Sequence, residues 1–272
     1  MVRLYLFLLL ALMIASCTSK TTKDKPASAE TAFPAGKWID LSYAYDEHTI
    51  FWPTAERFHL DTAFEGMTDK GYYYSAYQFC LAEHGGTHMD APVHFAQGKQ
   101  SVDEVPIDQL VGAAVVVDVS EKALKDKDYR VSVADFENWE KQHGTLPEGA
   151  IVLLRTGYGA YYPDPIKYMG TDERGDSAVA KLHFPGLDPA AAQWLVDNRS
   201  IKAIGLDTPS IDYGQSTHFE THRTLFKANI SAFENVANLD QLPIMGSYVI
   251  ALPMKIKGGS GGPVRIVALL PF

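Results

Sequence analysis

Apolar runs of strand length recur along this chain, most of them bounded by glycine, proline or short polar clusters. Lys37 to Ser42 predicts a first short strand, and Tyr72 to Leu81 a longer one. Ala113 to Val119 is apolar except for Asp118 and rich in valine, the pattern of a buried strand. Ile151 to Thr156 repeats that pattern and stops at Gly157, and Lys202 to Leu206 predicts another strand. Helix signals lie between them. Ser132-Val133-Ala134-Asp135 reads as a capping box opening a helix towards His143, with Gly144 as its stop. Asp188-Pro189 supplies an N-cap and a first helical residue for a helix to about Asn198. Ser247 to Leu252 and Val264 to Leu270 predict the closing strands. Strands and helices alternate in the middle while strands dominate both ends. That predicts a mixed α/β fold rather than a regular doubly wound sheet. Chemistry is then expected where strands end.

The start of the chain follows a different pattern. Arg3 precedes an almost continuously apolar stretch, Leu4 to Ile14, shorter than the ~20 residues a membrane span needs. Ile14-Ala15-Ser16-Cys17 then places small residues before a cysteine. This resembles a bacterial lipoprotein signal, with residues 1–16 removed and Cys17 lipidated; the alternative is an ordinary secretory signal with a coincidental cysteine. Thr18, rather than Asp, follows the cysteine. By analogy with Gram-negative lipoproteins, the expected location is the periplasmic face of the outer membrane, with a lipid anchor as the only membrane contact. Residues 17–33 hold the lipidated cysteine and a Ser-, Thr-, Lys-, Ala- and Pro-rich flexible tether. The folded part is expected to span 34–272 as one domain with a substantial core.

Once Cys17 is lipidated, Cys80 is the only remaining cysteine, so no internal disulfide is expected. In an aromatic-rich strand it reads as a buried small hydrophobe. The formal net charge is -9 and basic clusters are absent, which argues against a nucleic-acid partner. With no Rossmann fingerprint or P-loop, no organic cofactor is expected.

The candidate chemistry is concentrated in His84-Gly85-Gly86-Thr87-His88-Met89-Asp90-Ala91-Pro92-Val93-His94. Imidazole and carboxylate both bind divalent metals. Gly85, Gly86 and Pro92 interrupt a helix, so a loop or strand end should fold these ligands around one point. The helical zincin motif needs Glu after the first His, and Gly85 stands there instead. A polar turn with surface histidines is the bland alternative, but it leaves this density of ligand types to chance. A second segment runs from Asp212 to His222, followed by Phe233-Glu234-Asn235. Glu234 lies in an otherwise apolar or neutral stretch, either as a surface or capping acid or as an inward ligand. His218 is near in sequence and is assigned at most an outer supporting role. Gly258-Gly259-Ser260-Gly261-Gly262 fits the nucleophile-elbow pattern, but Pro263 and a β-type run follow it, so a turn is expected. His48, His59, His143 and His183 read as ordinary surface or core residues. Phe51-Trp52-Pro53 and Tyr72 to Tyr74 read as core rather than substrate wall.

His84-x-Gly-Thr-His88-x-Asp90-x-Pro92-x-His94, with His222 and Glu234 twelve residues apart, resembles the cyclase-like metal-dependent hydrolases. That family includes bacterial kynurenine formamidase (arylformamidase) and isatin hydrolase. The resemblance covers nearly the whole folded chain. It extends to Leu154-Arg155-Thr156-Gly157, Phe184-Pro185-Gly186-Leu187, Asp207 to Asp212 and the final glycine-rich turn. It implies an α/β swivelling β/β/α domain, assembled as homodimers or homotetramers with sites near subunit contacts. It implies that His84, His88, Asp90, His222 and Glu234 bind one or two divalent ions, zinc or manganese, with Asp90 and Glu234 able to bridge two. His94 then either moves protons or joins a second metal.

The reaction implied is hydrolysis of a small linear or cyclic amide, arylformamidase-like, by a metal-bound hydroxide, with His94 carrying the proton. The alternatives are a cyclic amide or lactone hydrolase of the isatin hydrolase type, or a lipoprotein that binds metal or ligand without turnover. In the isatin hydrolase branch glutamine stands at the position of Glu234, so Glu234 leans towards the formamidase side. An exported location argues against kynurenine itself, whose breakdown belongs to the cytoplasm.

Overall fold

The valine- and leucine-rich runs become the centre of an eight-stranded mixed sheet in the computed structural model, which describes residues 35–272. The leader, Cys17 and the tether lie outside the described residues. In chain order the strands are β1 (Gly36–Asp40), β2 (His59–Met67), β3 (Tyr73–Cys80), β4 (His88–Asp90), β5 (Val111–Asp118) and β6 (Arg130–Val131), then β7 (Ile151–Arg155), β8 (Gly186–Leu187), β9 (Ala203–Leu206), β10 (Ser231–Glu234), β11 (Ser247–Pro253) and β12 (Gly261–Pro271). The longest helices are α1 (Val133–His143), α2 (Pro189–Asn198) and α3 (Glu220–Lys227). The main sheet runs β1-β12-β11-β5-β7-β9-β10-β4, and β4 also pairs with β12, so the sheet closes on itself. Strands β5, β7, β9 and β10 are parallel. Parallel neighbours require crossovers, and these carry α1, α2 and α3 in turn.

Side chains alternate between two cores with the period of a strand. Val115, Val117, Val152, Leu154, Ile204 and Leu206 face one core, completed by Phe136 of α1, Leu195 of α2 and Phe226 of α3. Their neighbours Ala114, Val116, Ile151, Leu153 and Ala203 face the other, closed by Ile39, Met89, Phe233, Val249 and Ile266 from the same sheet. Burial on both faces explains why these runs are continuously apolar. The helix signals act as expected. Ser132 and Asp135 cap α1 reciprocally, with the Ser132 N–H donating to Asp135 Oδ2 at 2.8 Å. Asp188 accepts from the Ala190 N–H at 2.8 Å at the start of α2.

Several expectations need correction. β2 and β3 form a separate two-stranded sheet, and nearly all of its residues are exposed. Cys80 is therefore exposed rather than buried, and Tyr72, Tyr73 and Tyr74 are exposed rather than core. An aromatic-rich strand reads as buried, but among the described residues this one pairs only with the equally exposed β2. β2, α3 and β10 had not been predicted. The glycine-rich turn is also shorter than expected, because β12 already begins at Gly261.

Candidate metal centre

The site forms where β4 lies between β10 and β12. His88 and Asp90 are two apart on β4, so their side chains share one face of the strand. Glu234 ends β10 directly opposite His88 in the antiparallel ladder, which adds a second carboxylate to that face. α3 contributes His222 from its first turn. His84 comes from the segment before β4, and His94 ends a short 3-10 turn, Pro92–His94, after it.

These side chains meet at Asp90. One carboxylate oxygen, Oδ1, lies 2.7 Å from His84 Nδ1 and 3.1 Å from His88 Nε2. The other, Oδ2, lies 3.2 Å from His222 Nε2. Glu234 closes the group, with Oε2 3.4 Å from His88 Nε2 and Oε1 3.2 Å from His222 Nε2. Among the described residues, His84–His88–Asp90 and Asp90–His222–Glu234 are the groups whose donor atoms all lie within 4.8 Å of one another. His88, Asp90, His222 and Glu234 are buried, whereas His84 is partly exposed.

Neighbouring groups fix which atoms point inward. His88 Nδ1 donates to the Gly86 carbonyl at 2.9 Å, which leaves Nε2 facing the centre. That Nε2 is buried without a hydrogen-bond partner. Asp212 Oδ2 accepts from His222 Nδ1 at 2.5 Å, so His222 also presents Nε2. Asp212 accepts from the Thr221 and His222 N–H groups as well, satisfying two buried N–H groups that the start of α3 leaves without helical partners. Glu234 Oε1 accepts from the Ile211 N–H at 2.8 Å. Asn235 donates to the Gly86 carbonyl at 2.7 Å, and its own carbonyl accepts from Thr87 Oγ1 at 2.7 Å, which ties β10 to the histidine segment. Asp207, just past β9, accepts from Thr156 and Gly157 and so joins the ends of β7 and β9.

The electrostatics suit a cation. Burial pushes the Glu234 carboxyl up, and the charge of Asp90 pushes it further. Burial also opposes ionisation of Asp90, but the charge of His84, hydrogen bonds from His222 and His84, and the nearby His88 ring carry it well below the usual carboxylate range. For His88, burial favours the neutral ring, yet the nearby carboxylates of Asp90 and Glu234 raise it to about 9. Two buried carboxylates aimed at one point repel each other unless positive charge joins them. The spacing fits as well. Ligands bound at ~2.1 Å sit about 3.0 Å apart in an octahedral set and about 3.4 Å apart in a tetrahedral one; the closest imidazole–carboxylate pairs here are 2.7–3.4 Å apart, and all donors of each group lie within 4.8 Å. The orphaned His88 nitrogen and the nitrogen–oxygen donor set therefore fit a divalent metal.

The donors floor a cavity of about 270 Å³ whose wall includes Ile50, Phe51, Trp52, Phe95 and Phe219. Phe51 and Trp52 thus line the pocket, against the expectation that they serve only as core. His94 lines it too, stacked on His84 with ring centroids 3.8 Å apart. His218 is exposed and does not line the cavity; the outer supporting role considered for it belongs to Asp212. Sequence reading missed Asp212 and Asn235 as supporting groups, and also the approach of Ser260 Oγ to 2.8 Å from His84 Nε2. The first two flank His222 and Glu234 closely enough to have been suspected, since inward-facing histidines need a partner for their second nitrogen.

A family model described as "Putative cyclase" matches residues 39–213. The chain belongs to the cyclase family. The matched span includes His84, His88, Asp90, His94 and Asp212. An isatin hydrolase of Roseibium aggregatum is 32% identical over 199 residues, covering 70% of this chain and 73% of that protein. A kynurenine formamidase of Salinibacter ruber is 30% identical over 229 residues, covering 84% and 95% respectively. Among solved structures, isatin hydrolase A from Labrenzia aggregata, bound to benzyl benzoate, superposes with a TM-score of 0.78 at 32% identity. That match covers 87% of this chain and 94% of the other. The mixed α/β architecture of this cyclase-family member is thus shared with its solved relatives.

Proposed function

We propose that this cyclase-family chain is a metal-dependent hydrolase of carbon–nitrogen bonds in small linear or cyclic aryl amides. The observation that carries the reading is the convergence of His88, Asp90, His222 and Glu234, with one imidazole nitrogen unpartnered, on the floor of a small apolar cavity. An aryl formamide and an isatin-type ring both suit it. Each presents a planar ring to the Phe51, Trp52 and Phe219 wall and a carbonyl to the polar floor. The kinship to a kynurenine formamidase and an isatin hydrolase supports this substrate class.

His84, His88, Asp90, His222 and Glu234 are the proposed metal ligands. A set of imidazole and carboxylate donors without thiolate suits zinc or manganese. A divalent ion held there supplies charge that polarises a carbonyl and acidifies water. The protein's own part is to orient the amide and to manage its proton. His94 faces the cavity and stands outside both donor groups. Its proposed role is to take a proton from the attacking water and return it to the departing nitrogen. Metal-dependent turnover of a panel of aryl formamides, cyclic amides and lactones tests the reading. The expected result is turnover lost on chelation and restored by zinc or manganese. A chain that retains metal but hydrolyses nothing in the panel is a binding protein instead.

The proposed setting is the periplasmic face of the outer membrane, with Cys17 as the lipid anchor. Cys17→Ser should release a soluble protein with unchanged turnover, as read by membrane fractionation. A variant that stays on membranes after signal cleavage has its anchor elsewhere. A homodimer or homotetramer is also proposed. The β2–β3 hairpin supports it, since Leu60, Met67, Tyr72, Tyr73, Tyr74 and Phe79 are all at least half exposed. Two-stranded hairpins are marginally stable alone, so a partner surface is expected. Light scattering on the released protein should return twice or four times the chain mass; a monomer would rule the assembly out.

A further inference from the structure

The glycine-rich pentapeptide Gly258–Gly262 is not a nucleophile elbow, but it lies against the metal centre. Its anchors are firm. The Gly258 N–H donates to Asp103 Oδ1 at 2.8 Å, and the Gly259 carbonyl accepts from the Val102 N–H at 2.9 Å. The Ser260 carbonyl accepts from the Ala91 N–H at 2.8 Å. Gly261 then pairs with Asp90 as β12 begins. This strap runs so close to His84 that a Cβ on Gly261 would lie 2.6 Å from His84 Cε1 and 2.5 Å from the Met89 carbonyl oxygen.

The closeness brings Ser260 Oγ to 2.8 Å from His84 Nε2 and 2.6 Å from Glu83 Oε2. The Ser260 N–H donates to that same Glu83 oxygen at 3.0 Å. Hydrogen-bond bookkeeping then sets each direction. A carboxylate only accepts, and a serine hydroxyl has one hydrogen. That hydrogen goes to Glu83, so towards His84 the hydroxyl can only accept. His84 Nε2 must carry a hydrogen, so Nδ1, which donates to Asp90 at 2.7 Å without a cation, is the nitrogen whose hydrogen a bound cation would replace.

His84 needs such an arrangement more than its neighbours do. His88 and His222 present Nε2 and are locked by burial, with only 2% and 3% of the side chain exposed. His84 presents the opposite nitrogen and is 24% exposed. Packing holds its ring least, so hydrogen bonding must decide which edge points inward.

We propose that Ser260, oriented by Glu83 and delivered by the Gly258–Gly262 strap, is a positioning residue that fixes the tautomer and ring orientation of His84, so that Nδ1 faces the metal. This inference rests on the metal reading above. Zinc affinity, measured by competition with a chelator, should fall about 10–100-fold in Ser260→Ala, the usual cost of losing an outer partner of a metal ligand. The same change made on a His84→Ala background should cost nothing further, since Ser260 acts through His84. Nitrogen-15 NMR of the zinc-loaded wild-type chain should show His84 with Nδ1 on the metal and a hydrogen on Nε2. Coordination through Nε2 overturns the proposal. So does an unchanged affinity in Ser260→Ala, or an equal loss with and without His84. A wild-type chain that binds neither zinc nor manganese removes the metal reading itself, a distinct result from any of these.

Discussion

Asp90→Asn should abolish both metal retention and turnover, the largest loss expected from one change in this protein. Among the described carboxylates, Asp90 alone touches all three candidate imidazole ligands, at 2.7, 3.1 and 3.2 Å. Both donor groups share it. Asparagine keeps the volume, so folding is not asked to absorb a cavity. What it loses is a charge, and its amide hydrogens would face nitrogens whose lone pairs are needed. Outer partners of a metal ligand are worth about 10–100-fold in affinity, so loss of this shared carboxylate should exceed about 10²-fold. Metal content after dialysis and the rate against the amide panel check it together. Thermal unfolding adds an independent reading, because a ligand held at 1,000 times its Kd stabilises the fold by about 4 kcal/mol. Chelator should lower the wild-type Tm and leave that of Asp90→Asn unchanged. An Asn variant with wild-type metal content would place the cation elsewhere.

The sequence made the centre of the fold legible because burial on both faces writes an unbroken apolar run. Ala113 to Val119, Ile151 to Thr156 and Lys202 to Leu206 correspond to β5, β7 and β9, displaced by at most two residues at an end. The caps at Ser132 and Asp188 were equally readable, since each is a local hydrogen bond. β10 was not. Four residues flanked by apolar neighbours have no period to detect, and its place is set by β9 and β4, distant in sequence. The hairpin misled for the opposite reason. Its aromatic residues are those of a packed strand, and nothing local says that the described residues leave both faces exposed.

The candidate ligands were found as residue types and spacing, but their geometry came only from the ladder. The alternation His88-x-Asp90 puts two donors on one face, yet the register that sets Glu234 opposite His88 depends on pairing across 146 positions of sequence. Ser260 shows the limit of motif logic. Reading G-x-S-x-G for a nucleophile and rejecting it was sound, because no helix follows. The same rejection hid the other use of a serine between glycines, which is to bring a hydroxyl and a backbone close to a ring.

His94→Ala should separate catalysis from binding. His94 approaches neither carboxylate as a ligand donor would; it stacks on His84 and faces the cavity. Burial lowers its imidazolium to about 4, opposed by the charge of Asp90 and aided by those of His84, His222 and His88. A folded-state value below the ordinary one means that the ring is neutral at neutral pH and free to accept a proton. Removing it should leave the metal in place, held by His84, His88, Asp90, His222 and Glu234. Turnover should nevertheless fall by about 10²–10⁴-fold, the usual contribution of general acid–base catalysis. Glu234→Ala is the necessary contrast. It removes a buried carboxylate 3.2 and 3.4 Å from two imidazoles, so metal occupancy itself should drop. Measured side by side, the two variants should give opposite patterns: metal without turnover for His94→Ala, and loss of both for Glu234→Ala at limiting metal. If His94→Ala strips the metal, His94 is a ligand and its proton-transfer role is wrong.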